Sequence, residues 1–144
     1  MLVYQILKSK SDDAVVTVKS GSLVSEAAKI LSDRKIGTVV ISQTGKDAKG
    51  ILSERDIVRA IANSGASCLM DKVDTYMTSK LVTCSRDESA DNVLKMMTEG
   101  RFRHMPVVEA GDMVGLITIG DVVKARLSEL AMEKDALEGM IMGH

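Results

Sequence analysis

The sequence predicts an α/β (α+β) fold in which one β-α-β-β-α unit occurs twice. The first observation is an internal repeat: residues 15–18 match residues 81–84 at an offset of 66, which becomes 65 after one later turn. The second is the alternation of short β-rich runs with segments whose apolar residues recur at helical spacing. Because the three-stranded sheet of one unit cannot cover both its faces, we expect the two units to pack together about a pseudo-two-fold axis.

The first copy is expected to follow an N-terminal lead-in helix around Val3–Leu7, whose residues resemble those at 73–77. A β-rich run at 15–18 then precedes a helix at 24–34, for which Ser22 is a possible N-cap. Two strands follow, joined by a turn-rich segment, and a second helix ends in a linker at 63–72. The predicted strands are Thr38–Ser42 and Gly50–Leu52, and the predicted helix is Glu54–Asn63.

The second copy repeats this order from a β-rich run at 81–84, with Ser89 as the cap of a helix at 90–100. Its strands are predicted at Met105–Val108 and Val114–Ile117, before a helix that starts at about Ile119. The last segment, from Asp121 to about Met142, is one long amphipathic helix that outruns its counterpart. Its extra length is expected either to lie on a partner subunit or to cover its own domain.

The repeat divides the chain into three segments. Residues 1–66 form the first repeat with its lead-in helix, residues 67–130 form the second repeat, and residues 131–144 form a C-terminal helical extension.

Composition excludes several classes of protein. A net charge of −1 and only three aromatic residues argue against nucleic acid as a principal partner. No apolar run approaches the roughly 20 residues of a membrane-spanning helix, so no membrane association is expected. The N-terminus has no signal-peptide pattern, and Cys68 and Cys84 give no disulfide framework or metal-ligand spacing. We therefore expect a cytoplasmic protein with reduced thiols and no bound metal.

One motif, Gly-h-x-[Ser/Thr]-x-x-Asp with h apolar, occurs in both copies, at Gly50–Asp56 and at Gly115–Asp121. The Ser or Thr begins a helix, where free backbone N–H groups favour an anion such as a phosphate. The Asp three residues later is suited to accept hydrogen bonds from the two hydroxyls of a ribose. The same spacing also forms a helix capping box, and the two roles are compatible.

This motif, after an Ile-Gly-x-x-x-Val or His-x-Pro-Val strand, resembles the cystathionine β-synthase (CBS) domain, and the duplication resembles the tandem pair called a Bateman module. The resemblance extends from about Val3 to about Leu130 and is greatest to small stand-alone bacterial CBS-pair proteins. It implies that adenine nucleotides bind in clefts between the repeats and that the module forms a homodimer. The implied ligand is AMP, ADP or ATP, or alternatively NAD or NADH, bound as a ligand rather than as a catalytic cofactor.

By the same resemblance, each cleft combines residues of both repeats. The motif Asp and its hydroxyl neighbour bind the ribose end, and the base pocket comes from the other repeat. The cleft of Asp121 and Thr118 is expected to take its base pocket from around Thr17, Val18, Ile36 and Gly37, and the cleft of Asp56 and Ser53 from around Thr83, Cys84, Phe102 and Arg103. The implied nucleotide-binding residues are Ser53, Arg55, Asp56, Thr118 and Asp121 from the motifs, Thr17, Val18, Ile36, Gly37 and Thr38 from the first repeat, and Thr83, Phe102, Arg103, His104, Met105 and Pro106 from the second.

The basic segment Arg101–His104 distinguishes the two copies, because the equivalent residues Gly37 and Thr38 carry no charge. Arginine makes forked contacts with phosphate, and histidine adds a donor. We therefore expect the two clefts to differ in affinity or in ligand. The alternative is an ordinary solvated basic turn.

These features favour a regulatory or sensor module that changes conformation when an adenine nucleotide binds and acts on an unknown protein effector. Catalysis is not expected, since Cys84 has no histidine or carboxylate at a spacing typical of a nucleophile relay. Two alternatives remain. One is a regulatory subunit of a separate enzyme, such as a nucleotide-metabolism dehydrogenase. The other is a structural dimerisation module with degenerate clefts.

Overall fold

The computed structural model describes residues 1–10 and 14–141. Over these residues the chain contains five helices, five strands and two short 3₁₀ turns. In order they are α1 Val3–Ser9, β1 Thr17–Lys19, α2 Val24–Arg34, β2 Thr38–Ser42, β3 Gly50–Ser53, α3 Glu54–Ser64, the 3₁₀ turns Ala66–Met70 and Val73–Thr75, α4 Ala90–Gly100, β4 His104–Glu109, β5 Asp112–Thr118 and α5 Ile119–Ile141. The mixed α/β class is confirmed. Met142, where the last helix was expected to end, lies outside the described residues.

The first repeat forms the predicted three-stranded sheet, in the order β1-β2-β3. Strand β1 runs parallel to β2 with Thr17 opposite Val40, and β2 runs antiparallel to β3 with Thr38 opposite Ser53. The parallel pair extends one hydrogen bond beyond β1, from the Val40 N–H to the Val16 carbonyl at 3.0 Å.

The second repeat has only two strands, β4 and β5, so the prediction of a strand at 81–84 is wrong. What remains of it is one isolated parallel bridge between Cys84 and Val107. The reason lies at Pro106, which occupies the position equivalent to Val40 and has no N–H to donate. The ladder is therefore reduced to the Cys84 N–H bond to the Pro106 carbonyl and the Val108 N–H bond to the Cys84 carbonyl.

Helices α2 and α4 occupy the predicted residues and end in the same way. Lys35 and Arg101, 66 residues apart, both take a left-handed conformation with φ of 55° and 57° at the helix C-terminus. Ser89 caps α4 as predicted, because its Oγ accepts the Asn92 N–H at 3.1 Å. Helix α2 has Leu23 at the N-cap and no side-chain cap, so the assignment of that role to Ser22 is wrong.

The described chain divides into two compact units that do not follow the order of the repeats. The central unit comprises Ala14–Val82 and Ala110–Val114, and its core is formed by α2, the first sheet, α3 and Val73. The terminal unit comprises the described residues within Met1–Asp13, Thr83–Glu109 and Gly115–His144. The division at residue 66 therefore separates the sequence repeats but not the compact units. The lead-in segment of the first repeat lies in the terminal unit, and the lead-in segment of the second repeat lies in the central unit, so the two segments are exchanged.

Two glycines show why each lead-in segment packs where it does. At Gly50, an added Cβ would overlap the Met77 side chain and would lie 3.0 Å from the Thr78 carbonyl oxygen. At Gly115, an added Cβ would lie 2.9 Å from both methyl groups of Leu7. The lead-in residues around Met77 therefore pack on the motif strand of the first repeat, and α1 packs on that of the second.

Candidate functional site

The first motif lies where β3 ends and α3 begins, and it forms a reciprocal capping box. The Ser53 Oγ accepts the Asp56 N–H at 3.3 Å. In return Asp56 Oδ2 accepts the Ser53 N–H at 2.9 Å and the Ser53 hydroxyl at 3.0 Å. The capping role that the sequence allowed is therefore present, and it occupies one oxygen of the motif carboxylate.

The second motif has the same arrangement at the start of α5. Asp121 Oδ2 accepts the Thr118 N–H at 2.9 Å, and the Thr118 Oγ1 accepts the Asp121 N–H at 3.1 Å. Here the carboxylate has an additional partner: Lys10 Nζ lies 3.0 Å from Asp121 Oδ2 and also donates to the Leu116 carbonyl at 3.0 Å.

The environment of Asp121 favours its anionic form. Burial is the largest influence and by itself would raise the pKa of this carboxyl, but it is outweighed by the hydrogen bond from the Thr118 N–H and by the charge and hydrogen bond of Lys10, so the pKa is lowered. An ionised carboxylate accepts hydrogen bonds and donates none. Asp121 is therefore suited to a ligand group that presents donors, such as a sugar hydroxyl.

Asp56 has a weaker ionic partner. Arg59 Nη1 lies 3.8 Å from Asp56 Oδ1, and the Arg59 side chain is 72% exposed, so the pair contributes little. A cavity of about 190 Å³ in the central unit borders Asp56 and is lined also by Arg59, Ala60, Asn63, Ser64 and Tyr76. This volume is below the range of about 300–1,000 Å³ of typical ligand pockets. Arg55 is exposed on the first turn of α3.

The segment before the second strand of each repeat lies against the motif of that same repeat. In the central unit the Gly37 carbonyl accepts the N–H of Glu54, the first residue of α3, at 2.9 Å. In the terminal unit the Arg103 carbonyl accepts the N–H of Ile119, the first residue of α5, at 2.9 Å. The structure therefore brings Gly37 to the Ser53 cap and Arg103 to the Thr118 cap.

The other predicted binding residues differ in how accessible they are. Val18, Met105 and Pro106 are buried, so their side chains belong to the core. Arg103 and Thr83 are exposed. The half-buried group consists of Thr17, Ile36, Thr38, Phe102 and His104.

Lys10 is the residue near the motif that the sequence reasoning missed. The sequence contained a signal for this lysine, because an alignment of the lead-in segments at Val3 and Val73 also aligns Lys10 with Lys80. Only Lys10 is half-buried beside a motif carboxylate, whereas Lys80 is exposed.

No arrangement suited to nucleophilic or metal catalysis was found in the described part of the chain. Cys84 is buried, and burial raises the pKa of its thiol to about 11, so almost no thiolate is present at neutral pH. Within residues 1–10 and 14–141, no three His, Cys, Asp or Glu side chains are grouped as metal ligands. Over the same residues, no helix is both long enough and apolar enough to cross a bilayer.

Comparison with known proteins identifies a family. A family model for the CBS domain matches residues 7–63 and again residues 73–128. The chain is 31% identical to the mitochondrial CBS domain-containing protein CBSX3 of Arabidopsis thaliana, with 98% of this chain and 72% of that protein aligned.

Solved structures agree with this match. The CBS-domain containing protein ATU1752 of Agrobacterium tumefaciens is 42% identical, with a TM-score of 0.81 over 88% of this chain and 99% of that one. The CBS domain pair of protein MJ0100, in complex with 5′-methylthioadenosine and S-adenosyl-L-methionine, is 28% identical, with a TM-score of 0.76 and coverage of 90% and 98%. The CBS domain protein PAE2072 of Pyrobaculum aerophilum, complexed with AMP, is 25% identical, with a TM-score of 0.77 and coverage of 92% and 99%.

Proposed function

The chain belongs to the CBS domain family, with one domain in each half, and on that premise we propose that it is a regulatory module that binds an adenine nucleotide. The observation that carries this proposal is the pair of motif carboxylates, Asp56 and Asp121, each held at a helix N-terminus by its own capping box. The caps fix the position of each carboxylate before any ligand arrives, which lowers the entropic cost of binding.

The chemistry of the motif matches a ribose. In each cap the backbone N–H bond falls on Oδ2 of the aspartate, and among the described residues no hydrogen bond to Asp121 Oδ1 is found. We propose that this oxygen accepts a sugar hydroxyl. The N-terminal turns of α3 and α5 add partial positive charge for a phosphate or another anionic group.

The ligands of two similar proteins support the same moiety. AMP, 5′-methylthioadenosine and S-adenosyl-L-methionine, named with PAE2072 and MJ0100, all contain an adenosine. They differ in what is attached to the 5′ position of the ribose. We infer that this chain recognises adenosine and that groups beyond the ribose select among AMP, ADP, ATP, NAD and NADH.

We assign the tighter binding of a phosphate-bearing ligand to the neighbourhood of Asp121. The backbone contact between Arg103 and Ile119 supports this assignment, because it holds the basic segment beside the Thr118 cap. The equivalent contact in the first repeat places uncharged Gly37 beside the Ser53 cap. Arg103 and His104 are the residues proposed to contact the phosphate.

We propose that the module is a cytoplasmic homodimer and that its output is a ligand-dependent change read by a separate protein. The residues proposed to line the base are Thr17, Val18, Ile36 and Gly37 from the first repeat and Thr83, Phe102 and Arg103 from the second.

Titration calorimetry with AMP, ADP, ATP, NAD, NADH, S-adenosyl-L-methionine and 5′-methylthioadenosine tests the proposal. We expect at least one of these to bind, and we expect Asp121→Ala to weaken it by about 1.5–3 kcal/mol, or more than tenfold. The fold survives, because loss of one cap costs about 0.5–2 kcal/mol. Asp87→Ala, at an exposed turn residue, is the matched control. If no ligand binds, or if Asp56→Ala and Asp121→Ala both leave affinity unchanged, the assignment is wrong.

A further inference from the structure

Helix α5 carries a row of exposed apolar side chains that its own unit does not cover. Its buried residues, Val122 and Ala125, lie on one side of the helix. On another side, five apolar residues have exposures between 41% and 77%. With one lysine, whose side chain is 75% exposed, they form what we call the α5 seam: Val123, Leu127, Leu130, Lys134, Leu137 and Ile141.

The spacing of the α5 seam indicates what it contacts. Its residues are separated alternately by four and three positions, which is the a/d heptad pattern of a coiled coil. A repeat of 3.5 residues keeps the apolar row facing one partner helix along its whole length. The seam therefore fits another α-helix rather than a sheet or a flat surface.

The second half of α5 has no support from its own unit. All residues from 131 to 138 are exposed, so this stretch is not packed on either side. A helical segment of this length is marginal in water unless a face of it is packed. The contacts within the terminal unit thus account for the first half of α5 and not for the second.

We propose that the occupant of the α5 seam is α5 of a second copy of this chain, in antiparallel orientation. One register satisfies all six seam positions at once. It places Val123 against the partner's Ile141, Leu127 against the partner's Leu137, and Leu130 against the aliphatic stem of the partner's Lys134. This inference deepens the homodimer part of the proposed function and is independent of nucleotide binding.

The charges beside the α5 seam select the antiparallel orientation. In a parallel pair, Lys134 would face the partner's Lys134, and Glu133 would face the partner's Glu138, so both contacts would be repulsive. In the antiparallel register, Lys124 faces the partner's Glu138 at both ends. At the centre, Glu133 faces the partner's Glu133, and the two Lys134 side chains beside this pair compensate its charge.

Sedimentation of the whole chain without ligand, at micromolar concentration, tests the interface. We expect a species of twice the 15.5 kDa chain mass. Leu130→Glu and Leu137→Glu should each raise the dimer dissociation constant at least tenfold. The control is Met132→Glu, because Met132 is 63% exposed but lies on the opposite side of the helix from the seam, and it should leave the constant unchanged.

A monomeric wild type, or a dimer that persists in both glutamate variants, would overturn the proposal. A monomeric chain that still binds AMP would reject the α5 seam as a homodimer interface and leave nucleotide binding intact. An equal rise of the dimer dissociation constant in Met132→Glu would also overturn the proposal, since the effect of a glutamate would then not depend on the α5 seam.

Disulfide trapping tests the orientation, and the native cysteines do not interfere because both are buried. A mixture of chains carrying Leu127→Cys and chains carrying Leu137→Cys should form a cross-linked dimer under mild oxidation, since these positions meet in the antiparallel register. Leu137→Cys alone should not cross-link. Rapid cross-linking of Leu137→Cys alone would mean a parallel pair and would refute the proposed register.

Discussion

Lys10 and Asp121 form an ion pair at 3.0 Å between residues 111 positions apart, and Asp121 is the motif carboxylate of the second repeat. The ion pair of the first motif carboxylate is of a different kind, between Asp56 and the exposed Arg59 at 3.8 Å on the same helix. Two motifs that match in sequence thus differ in the charge next to them. Because the Lys10 ammonium is bound to Asp121 Oδ2, beside the oxygen proposed to accept a ribose hydroxyl, the two carboxylates should respond differently to ligand and to pH.

Removing the Lys10 ammonium should strengthen nucleotide binding near Asp121. The ammonium on Oδ2 neutralises part of the carboxylate charge and so weakens Oδ1 as an acceptor; if this effect is about 1 kcal/mol, Lys10→Met should lower the dissociation constant about fivefold. Calorimetry with the ligand found for the wild type measures this. Lys8→Met, on the exposed side of α1, serves as the control. Weaker binding in Lys10→Met would show instead that the lysine contacts the ligand.

The ionised Asp121 should make stability depend on acid pH. Its pKa in the folded protein is below the ordinary value of 3.8, so its contribution is present above about pH 4 and is lost as the pH falls through the lower, folded value. Urea unfolding at pH 6 and at pH 3 should therefore show a smaller loss of stability in Asp121→Asn than in the wild type. Asp87→Asn should behave like the wild type, and an identical loss in all three proteins would contradict the prediction.

The two motif glycines should tolerate alanine unequally. The methyl group added by Gly50→Ala would approach the Thr78 carbonyl oxygen as well as the Met77 side chain. Because backbone atoms cannot move aside easily, we expect the free energy of unfolding to fall by about 1–3 kcal/mol. Gly115→Ala meets only the methyl groups of Leu7 and should cost less. Chemical denaturation measures both. Gly120→Ala, with 3.7 Å to its nearest neighbour in a helix, should be neutral or stabilising, and a Gly50 variant as stable as the wild type would rule out the close approach.

His104 should contribute to the binding of a phosphate-bearing ligand near Asp121. If its imidazole donates a hydrogen bond to a phosphate, His104→Ala should weaken AMP binding by about 0.5–1.5 kcal/mol, or roughly two- to twelvefold. Calorimetry on the two proteins at one pH measures this difference. Equal AMP affinity in the two proteins would remove His104 from the site.

The sequence predicted those parts of the fold that depend on local pattern. Helices α2 and α4 occupy the predicted residues because apolar positions, a duplicated offset and, for α4, the Ser89 cap all agree. The motif caps were likewise readable from Ser53 and Thr118 with an aspartate three residues later. Each of these features involves residues close together in the chain.

What the sequence did not predict depends on residues that are distant in the chain. The expected strand at 81–84 fails because one proline on β4 lacks the N–H that a neighbouring strand would need, and the repeat alignment conceals that difference. Lys10 was missed because nothing in a repeat pattern says that the lead-in helix of one copy packs on the motif of the other. The assignment of base-contacting residues such as Thr17 and Thr83 stays a prediction.

The exchange of the two lead-in segments sets the order in which a growing chain can complete its parts. Most of the central unit is a continuous stretch, so it can close while the second half of the chain is still being synthesised. Helix α1 is made before the second repeat, yet Leu7 and Lys10 cannot reach their partners Gly115 and Asp121 until these residues have left the ribosome. The apolar side of α1, with Val3 and Ile6, therefore lacks its complete packing surface while the residues between α1 and Asp121 are synthesised, and this is the interval in which a chaperone would bind it.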